Sequence, residues 1–219
     1  MIVIGAGWFA KELYQAMVFN NPEFKNENLF FFDNVSENLP NKILGKYKIL
    51  RTTDEVREVF SNGSNEFCLG LSTPKHRYKL TNLFEQLGGK LTSVISASAY
   101  IDTLDTNVGD GCSVMHGTFI SCNASIGRGT LLNVNSMIAH DVTIGEFAEI
   151  MPGVNITGLC HIGNYTSLGT GCILTPNVKI GNNCVIAAGS VVTKDIPDNS
   201  LVVGIMPSRV VEKLPKFEL

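Results

Sequence analysis

Between Val108 and Val192 every sixth residue is aliphatic: Val108, Val114, Ile120, Ile126, Leu132, Ile138, Ile144, Ile150, Ile156, Ile162, Leu168, Leu174, Ile180, Ile186 and Val192. Four places after each comes a second column, nearly all small, running from Cys112, Thr118, Ala124 and Thr130 to Cys184, Ser190 and Ile196. Six is not a helical period. Strand side chains alternate with period two, so each small residue faces the same way as the aliphatic residue two places on. Short strands joined by turns and repeated on six residues predict a parallel β-helix. A slower beat of 18, carried by Gly109, Gly127, Gly145, Gly163 and Gly181, groups three hexads into one coil. The 90 residues in this rhythm predict a triangular prism of five coils, with these glycines at a corner that needs positive φ.

The first hundred residues carry a different pattern. "MIVIGAGWFAKELYQAM" reads as a strand, a glycine turn and a helix with Phe9, Leu13 and Met17 on one face. "NLFFFDN", "EFCLGL" and "KLTSVI" read as strands, and "TPKHRYKLTNLFEQLG" as a helix. Between them "KILGKYKIL" suggests a loop or strand and "TTDEVREVF" a short helix. Alternating strands and helices predict a small Rossmann-like parallel sheet. The expected organisation is an α/β domain at 1–97, an all-β parallel β-helix at 98–200 and a tail at 201–219.

The chain has 219 residues, 17% of them charged, with a net charge of −3 and no basic cluster, so nucleic acid is not an expected partner. No apolar run approaches the roughly 20 residues of a membrane span. The start lacks a basic segment and a small-residue cleavage site, which leaves the cytoplasm as the expected location. Of the six cysteines, Cys112, Cys160, Cys172 and Cys184 fall in the small interior column, where packing explains them better than disulfides or metal.

His140 is the third residue of its hexad and is expected at a corner, facing out, with Cys122 and Gly158 stacked on either side of it. A glycine beside an outward histidine leaves a notch for a slim ligand arm. Asp141 follows directly and Asn133 and Asn135 lie just upstream, so this imidazole is the candidate general base. His116, on another edge, is expected to be a solvated turn residue, and His161 and His76 to be structural. Gly5-Ala6-Gly7-Trp8-Phe9-Ala10 fits G-x-G-x-x-A and is followed by Asp33, a pattern that suits phosphates at a helix N-terminus or a plain tight turn.

The repeats, the stretch "NVNSMIAHDVTIGEFAEI" and the tail "VVGIMPSRVV", together with the N-terminal segment, resemble the left-handed β-helix acyltransferases. More closely they resemble the sialic-acid O-acetyltransferase-like and nucleotide-amino-sugar N-acetyltransferase family. The resemblance implies the left-handed coil, a homotrimer, acetyl-CoA in the groove between neighbouring prisms, no metal, and a histidine base at His140 supported by Asp141 and Asn133. It implies that Gly158, Ala188, Pro207 and Arg209 meet the coenzyme. It implies further that a UDP- or dTDP-linked amino sugar meets Gly5, Gly7, Trp8, Asp33, Asn34, Gly70, Leu71 and Ser72. Trp8 departs from the small residue usual in the family, and "GIMPSR" has one residue more than usual between its glycine and proline. The expected reaction is acetylation of the sugar amine. The rivals are a sugar O-acetyltransferase using the same histidine, an NAD-dependent oxidoreductase suggested by the glycine motif, and a zinc lyase, which His116, His140 and His161 in different columns would not serve.

Overall fold

The computed structural model describes residues 1–20, 22 and 28–204. The N-terminal part contains β1 (Ile2–Ile4), α1 (Trp8–Asn20), β2 (Phe30–Phe32), β3 (Lys42–Ile43), β4 (Tyr47–Leu50), α2 (Thr53–Asn62), β5 (Glu66–Leu69), α3 (Pro74–Gln86) and β6 (Lys90–Leu91). Its strands form one sheet in the order β3-β4-β2-β1-β5-β6. All pairs are parallel except β3 with β4. That hairpin turns through Leu44 and Gly45, both at positive φ, which matches the twist of the flanking strands. The central strand β1 is apolar along its whole length because it is covered on both faces, and Ile2, Val3 and Ile4 are all buried. At the start of α2, Thr52 and Glu55 form a capping box.

From Val94 the chain winds into a triangular prism. Its first face stacks the strands Val94–Ile95, Ser113–Val114, Leu131–Leu132, Glu149–Ile150, Ser167–Leu168, Val185–Ile186 and Leu201–Val202. The second face stacks Tyr100–Ile101, Phe119–Ile120, Met137–Ile138, Asn155–Ile156, Ile173–Leu174 and Val191–Val192. The third stacks Asn107–Val108, Ser125–Ile126, Thr143–Ile144, His161–Ile162 and Lys179–Ile180. Both aliphatic and small columns point inward and form one core. The small polar members are satisfied by the coil above: Thr130 Oγ1 donates to the Gly145 carbonyl (2.8 Å), and Thr166 Oγ1 to that of Gly181 (2.7 Å). The six cysteines are free thiols, and burial pushes Cys112 and Cys172 up to about 11, far from reactive thiolates.

Two expectations need correction. Among the described residues the prism has six coils and one strand of a seventh, not five, because the inward positions slip at its ends. Ile101 to Val108 is a step of seven, and Val192 to Ile196, which bridges to Ile180, is a step of four. A strict count of six therefore misses strands Val94–Ile95 and Leu201–Val202, which pair with the prism inside the segments assigned to the α/β domain and the tail. The glycines that recur every 18 residues are likewise not at positive φ. The left-handed corner position lies two residues later in every hexad, and Gly, Asn and Asp fill most of its places, from Gly111 and Gly117 to Asn183 and Gly189. Gly109, Gly127, Gly145, Gly163 and Gly181 are glycine because the coils touch there: a Cβ on Gly127 would lie 2.4 Å from the Gly145 carbonyl carbon.

The α/β domain sits on the first face. Met115 and Leu131 of that face are buried in one cluster with Val3, Leu13 and Cys68 of the domain. At the corner between third and first faces Phe147 and Tyr165 hold left-handed backbone, unusual for bulky residues, and their rings stack at 11°. Tyr78 of α3 meets both edge-on. The Phe147 ring fills the space over Gly129, where a Cβ would come within 2.4 Å of it. At the corner between first and second faces, Asn20 at the end of α1 bonds the Ile95 carbonyl and accepts from the Ala97 N–H (2.6 Å). His116 there is no solvated turn residue. It is half-buried, with Nδ1 2.7 Å from Ser96 Oγ and its ring edge-on to Phe19, because the α/β domain closes over that corner.

Candidate active site

His140 follows the strand Met137–Ile138 and stands exposed at the corner between second and third faces. The coil register places Cys122 on one side and Gly158 on the other: the Asp141 N–H donates to the Cys122 carbonyl and the Leu159 N–H to that of His140. The ring lies directly over Gly158, whose hypothetical Cβ would fall 2.7 Å from His140 Nε2. The notch expected from the register is filled by the histidine's own ring.

Asp141 takes the left-handed corner position (φ 59°), where a short polar side chain is tolerated, and this turns its carboxylate back onto the ring. Oδ2 lies 2.7 Å from His140 Nδ1, and Asn123, one coil below, donates to Oδ1. The hydrogen bond from His140, followed by that from Asn123, holds the Asp141 carboxyl below the usual carboxylate range. With Nδ1–H bound to a carboxylate, the imidazole presents the Nε2 lone pair outward. Among the described residues Nε2 has no hydrogen-bond partner.

Asn133 is not beside His140 in the chain. It begins the preceding corner, between first and second faces, is nearly buried, and accepts the Val134 N–H on Oδ1 (2.8 Å). One hexad turns the chain by a whole face, so a spacing of seven places the two residues on edges flanking the second face. Exposed Ala188 lies on the Asn133 edge, three coils on. Pro207 and Arg209 lie outside the described residues. His161 points outward from the third face between Thr143 and Lys179. Among the described residues no group of three or more His, Cys, Asp or Glu could hold a metal, and no helix is long and apolar enough to cross a membrane.

A second candidate region lies at the carboxyl ends of β1, β2 and β5, where ligands bind open parallel sheets. A cavity of about 430 Å³ is lined there by Gly5, Asp33, Asn34 and Leu71, together with His76, Lys79, Leu80 and Leu83 of α3. Gly5 holds φ +105°, and a Cβ there would lie 2.6 Å from the Gly70 carbonyl oxygen, which explains the glycine. Gly7 has neither positive φ nor a crowding neighbour, and with Trp8, Gly70 and Ser72 it does not line the cavity. Trp8 is 81% exposed, with Lys11 Nζ 4.3 Å from its ring centre. The Asp33 carboxylate is committed to its own turn, accepting from the Val35 and Ser36 N–H groups and from Ser36 Oγ. Burial pushes its pKa up, but these bonds and Arg51 outweigh that and hold it low. His76 was expected to be structural and instead lines the cavity with Lys79, one turn on. That spacing on α3 was the available signal.

Comparison with known proteins agrees with this architecture. The family model "Bacterial transferase hexapeptide (six repeats)" matches residues 123–158 and 159–194. GDP-perosamine N-acetyltransferase of Escherichia coli O157:H7 is 25% identical over 92% of this chain and 81% of its own. WeeI from Acinetobacter baumannii AYE is 27% identical, with a TM-score of 0.82 over 93% of this chain and 95% of its own. A histidine-to-asparagine mutant of perosamine N-acetyltransferase from Caulobacter crescentus, in complex with CoA and GDP-perosamine, superposes with a TM-score of 0.84 at 23% identity, over 97% of this chain and 96% of its own. Prism, repeats and these likenesses define the fold: residues 123–194 match the hexapeptide transferase repeat, and the whole chain has the architecture of the left-handed parallel β-helix acetyltransferases it is similar to. Two of the proteins it is similar to are perosamine N-acetyltransferases.

Proposed function

We propose that this enzyme transfers the acetyl group of acetyl-CoA to the amine of a nucleotide-linked amino-deoxy sugar, with His140 as general base. The observation that carries this reading is the orientation of His140: Nδ1 tied to Asp141 and Nε2 free at the edge of the prism, over Gly158. Nε2 takes a proton as the amine attacks the thioester carbonyl. The tetrahedral intermediate collapses to the amide, and the imidazolium returns the proton to the departing CoA thiolate. The Gly158 N–H, which makes no hydrogen bond within the coil, would hold the oxyanion. The Escherichia coli and Caulobacter crescentus relatives are named for perosamine carried on GDP, so a GDP-linked sugar stands beside UDP- and dTDP-linked ones as a candidate substrate. A coupled thiol-release assay with acetyl-CoA against such sugars, with free sialic acids as hydroxyl acceptors, tests the reading. Release with sialic acids alone would favour the O-acetyltransferase rival, and NADH binding in a fluorescence titration would favour the oxidoreductase.

The active site in this reading is shared between copies. The corner that carries His140 is opposite the first face, and the first face carries the α/β domain with its cavity. One chain therefore keeps its base and its sugar-nucleotide cavity on different sides of the prism. The second face, flanked by the His140 corner, presents exposed Tyr100, Phe119, Ile173 and Val191, with Tyr100 and Phe119 stacked at 9°. An apolar stripe of this kind suits packing around a threefold axis. Such packing brings the corner with Asn133 and the cavity of one subunit toward His140 of the next.

Asp141→Asn keeps the shape but removes the charge that favours the imidazolium. It is expected to lower kcat about tenfold, part of the base's own roughly 10²–10⁴-fold contribution, with KM for acetyl-CoA unchanged in steady-state kinetics. Gly158→Ala puts a methyl group where the ring lies and pushes Nε2 from its place, which is expected to reduce kcat by at least about tenfold without loss of nucleotide-sugar binding by calorimetry.

A further inference from the structure

Arg77 of α3 is completely buried, and among the described residues no carboxylate lies within ion-pair distance of it. Its guanidinium instead serves neutral oxygens from both halves of the molecule. Nη1 donates to the carbonyls of Leu69 (3.1 Å) and Leu71 (2.8 Å), Nε to that of Gly129 (2.8 Å), and Nη2 to Ser113 Oγ (3.2 Å). A buried charge without a counter-ion is costly, so four directed bonds to the ends of two structural units call for an explanation. Leu69 and Leu71 flank Gly70. Gly70 is wedged so closely between Val3, Ala10 and Ile4 that a Cβ would lie 2.7 Å from Val3 Cγ1, and its carbonyl oxygen would lie 2.6 Å from a Cβ on Gly5. Leu71 and Gly5 line the cavity at the sheet's carboxyl edge. Gly129 and Ser113 belong to successive coils of the prism.

We infer that Arg77 is a positioning residue for the sugar-nucleotide cavity: one guanidinium fixes the Leu69–Leu71 segment that places Leu71 in the cavity wall and registers it on the prism. The inference rests on the reading of that cavity as the nucleotide-sugar site. It follows that loss of the planar fork loosens the cavity wall and weakens the nucleotide sugar, while His140 and Gly158, on another edge of the prism, keep their geometry. Lysine cannot replace the fork, because a single ammonium cannot span Gly129, Leu69 and Leu71 at once.

Binding of nucleoside diphosphates and of CoA to the intact wild-type protein and to Arg77→Lys, by calorimetry, with KM for each substrate, is the test. Arg77→Lys is expected to weaken the nucleotide and raise its KM about tenfold, with CoA binding unchanged within about twofold. Ser113→Ala, which removes the partner of Nη2 together with the bond from Ser113 Oγ to the Leu69 carbonyl (3.4 Å), is expected to shift the nucleotide in the same direction by about twofold to threefold, and it serves where the lysine variant does not fold. Equal weakening of both substrates, or of neither, overturns the inference. Absence of nucleotide binding to the wild-type protein would instead reject the cavity assignment on which it rests.

Discussion

Replacing His140 with alanine is expected to lower kcat about a hundredfold, the low end of what a positioned base contributes. The low end applies because a neutral amine is already a competent nucleophile and needs its proton removed only as the bond forms. The affinity for acetyl-CoA should stay near that of the wild-type protein, since the imidazole projects from the corner and the prism beneath it is unaltered. A hydroxyl acceptor would lose far more, because an alcohol depends on the base to become nucleophilic at all. The size of the loss therefore distinguishes amine from hydroxyl as well as testing the residue. Turnover of His140→Ala close to the wild-type rate at saturating substrates would remove the histidine from the chemistry.

Gly127→Ala is expected to be the most damaging single methyl in the prism. The added Cβ would sit 2.4 Å from the Gly145 carbonyl carbon and 2.6 Å from the Glu146 nitrogen, both backbone atoms of the next coil. Neither can swing away as a side chain would. Relief requires the coils to part, which breaks contacts on all three faces at once, so the cost should reach about 3 kcal/mol, the upper end for overpacking. In a chain of this length that corresponds to a fall of roughly 10 °C in thermal midpoint, measured by circular dichroism at fixed protein concentration. Gly153→Ala is the control. Gly153 has no atom within 4 Å of its hypothetical Cβ, so it suffers only the strain of its left-handed backbone and should lose much less.

Much of this molecule is written in residue spacing. The six-residue aliphatic column reported the prism because each inward position is specified independently by burial, and fourteen successive steps agree. The same column hid the terminal coils, because a corner that gains or loses a residue leaves the wall intact but breaks the count. The glycines every 18 residues marked a real constraint with the wrong cause. Spacing shows that a small residue is required, and only coordinates show whether φ or a neighbouring coil requires it. The outward placement of His140 and its stacking on Gly158 were legible for the same reason of register. Asn133 was placed beside His140 by closeness in sequence, whereas a hexad rotates the chain to another edge. Arg77 could not be read at all, since nothing in a helix sequence tells which turn lies under a domain junction, whereas His76 and Lys79 left a signal in their one-turn spacing without showing which cavity they face.

The most direct measurement of the shared site is complementation between two inactive forms. His140→Ala lacks the base, and His76→Glu combined with Lys79→Glu reverses the charge of the exposed cavity wall. Co-expressed in equal amounts and assembled into the proposed trimer, they regain sites wherever a subunit with its histidine intact meets a neighbour with its cavity intact. By random assembly about a quarter of the sites qualify, and about a quarter of wild-type thiol release is expected. Activity no higher than the sum of the two separate variants would contradict a site built from adjoining copies.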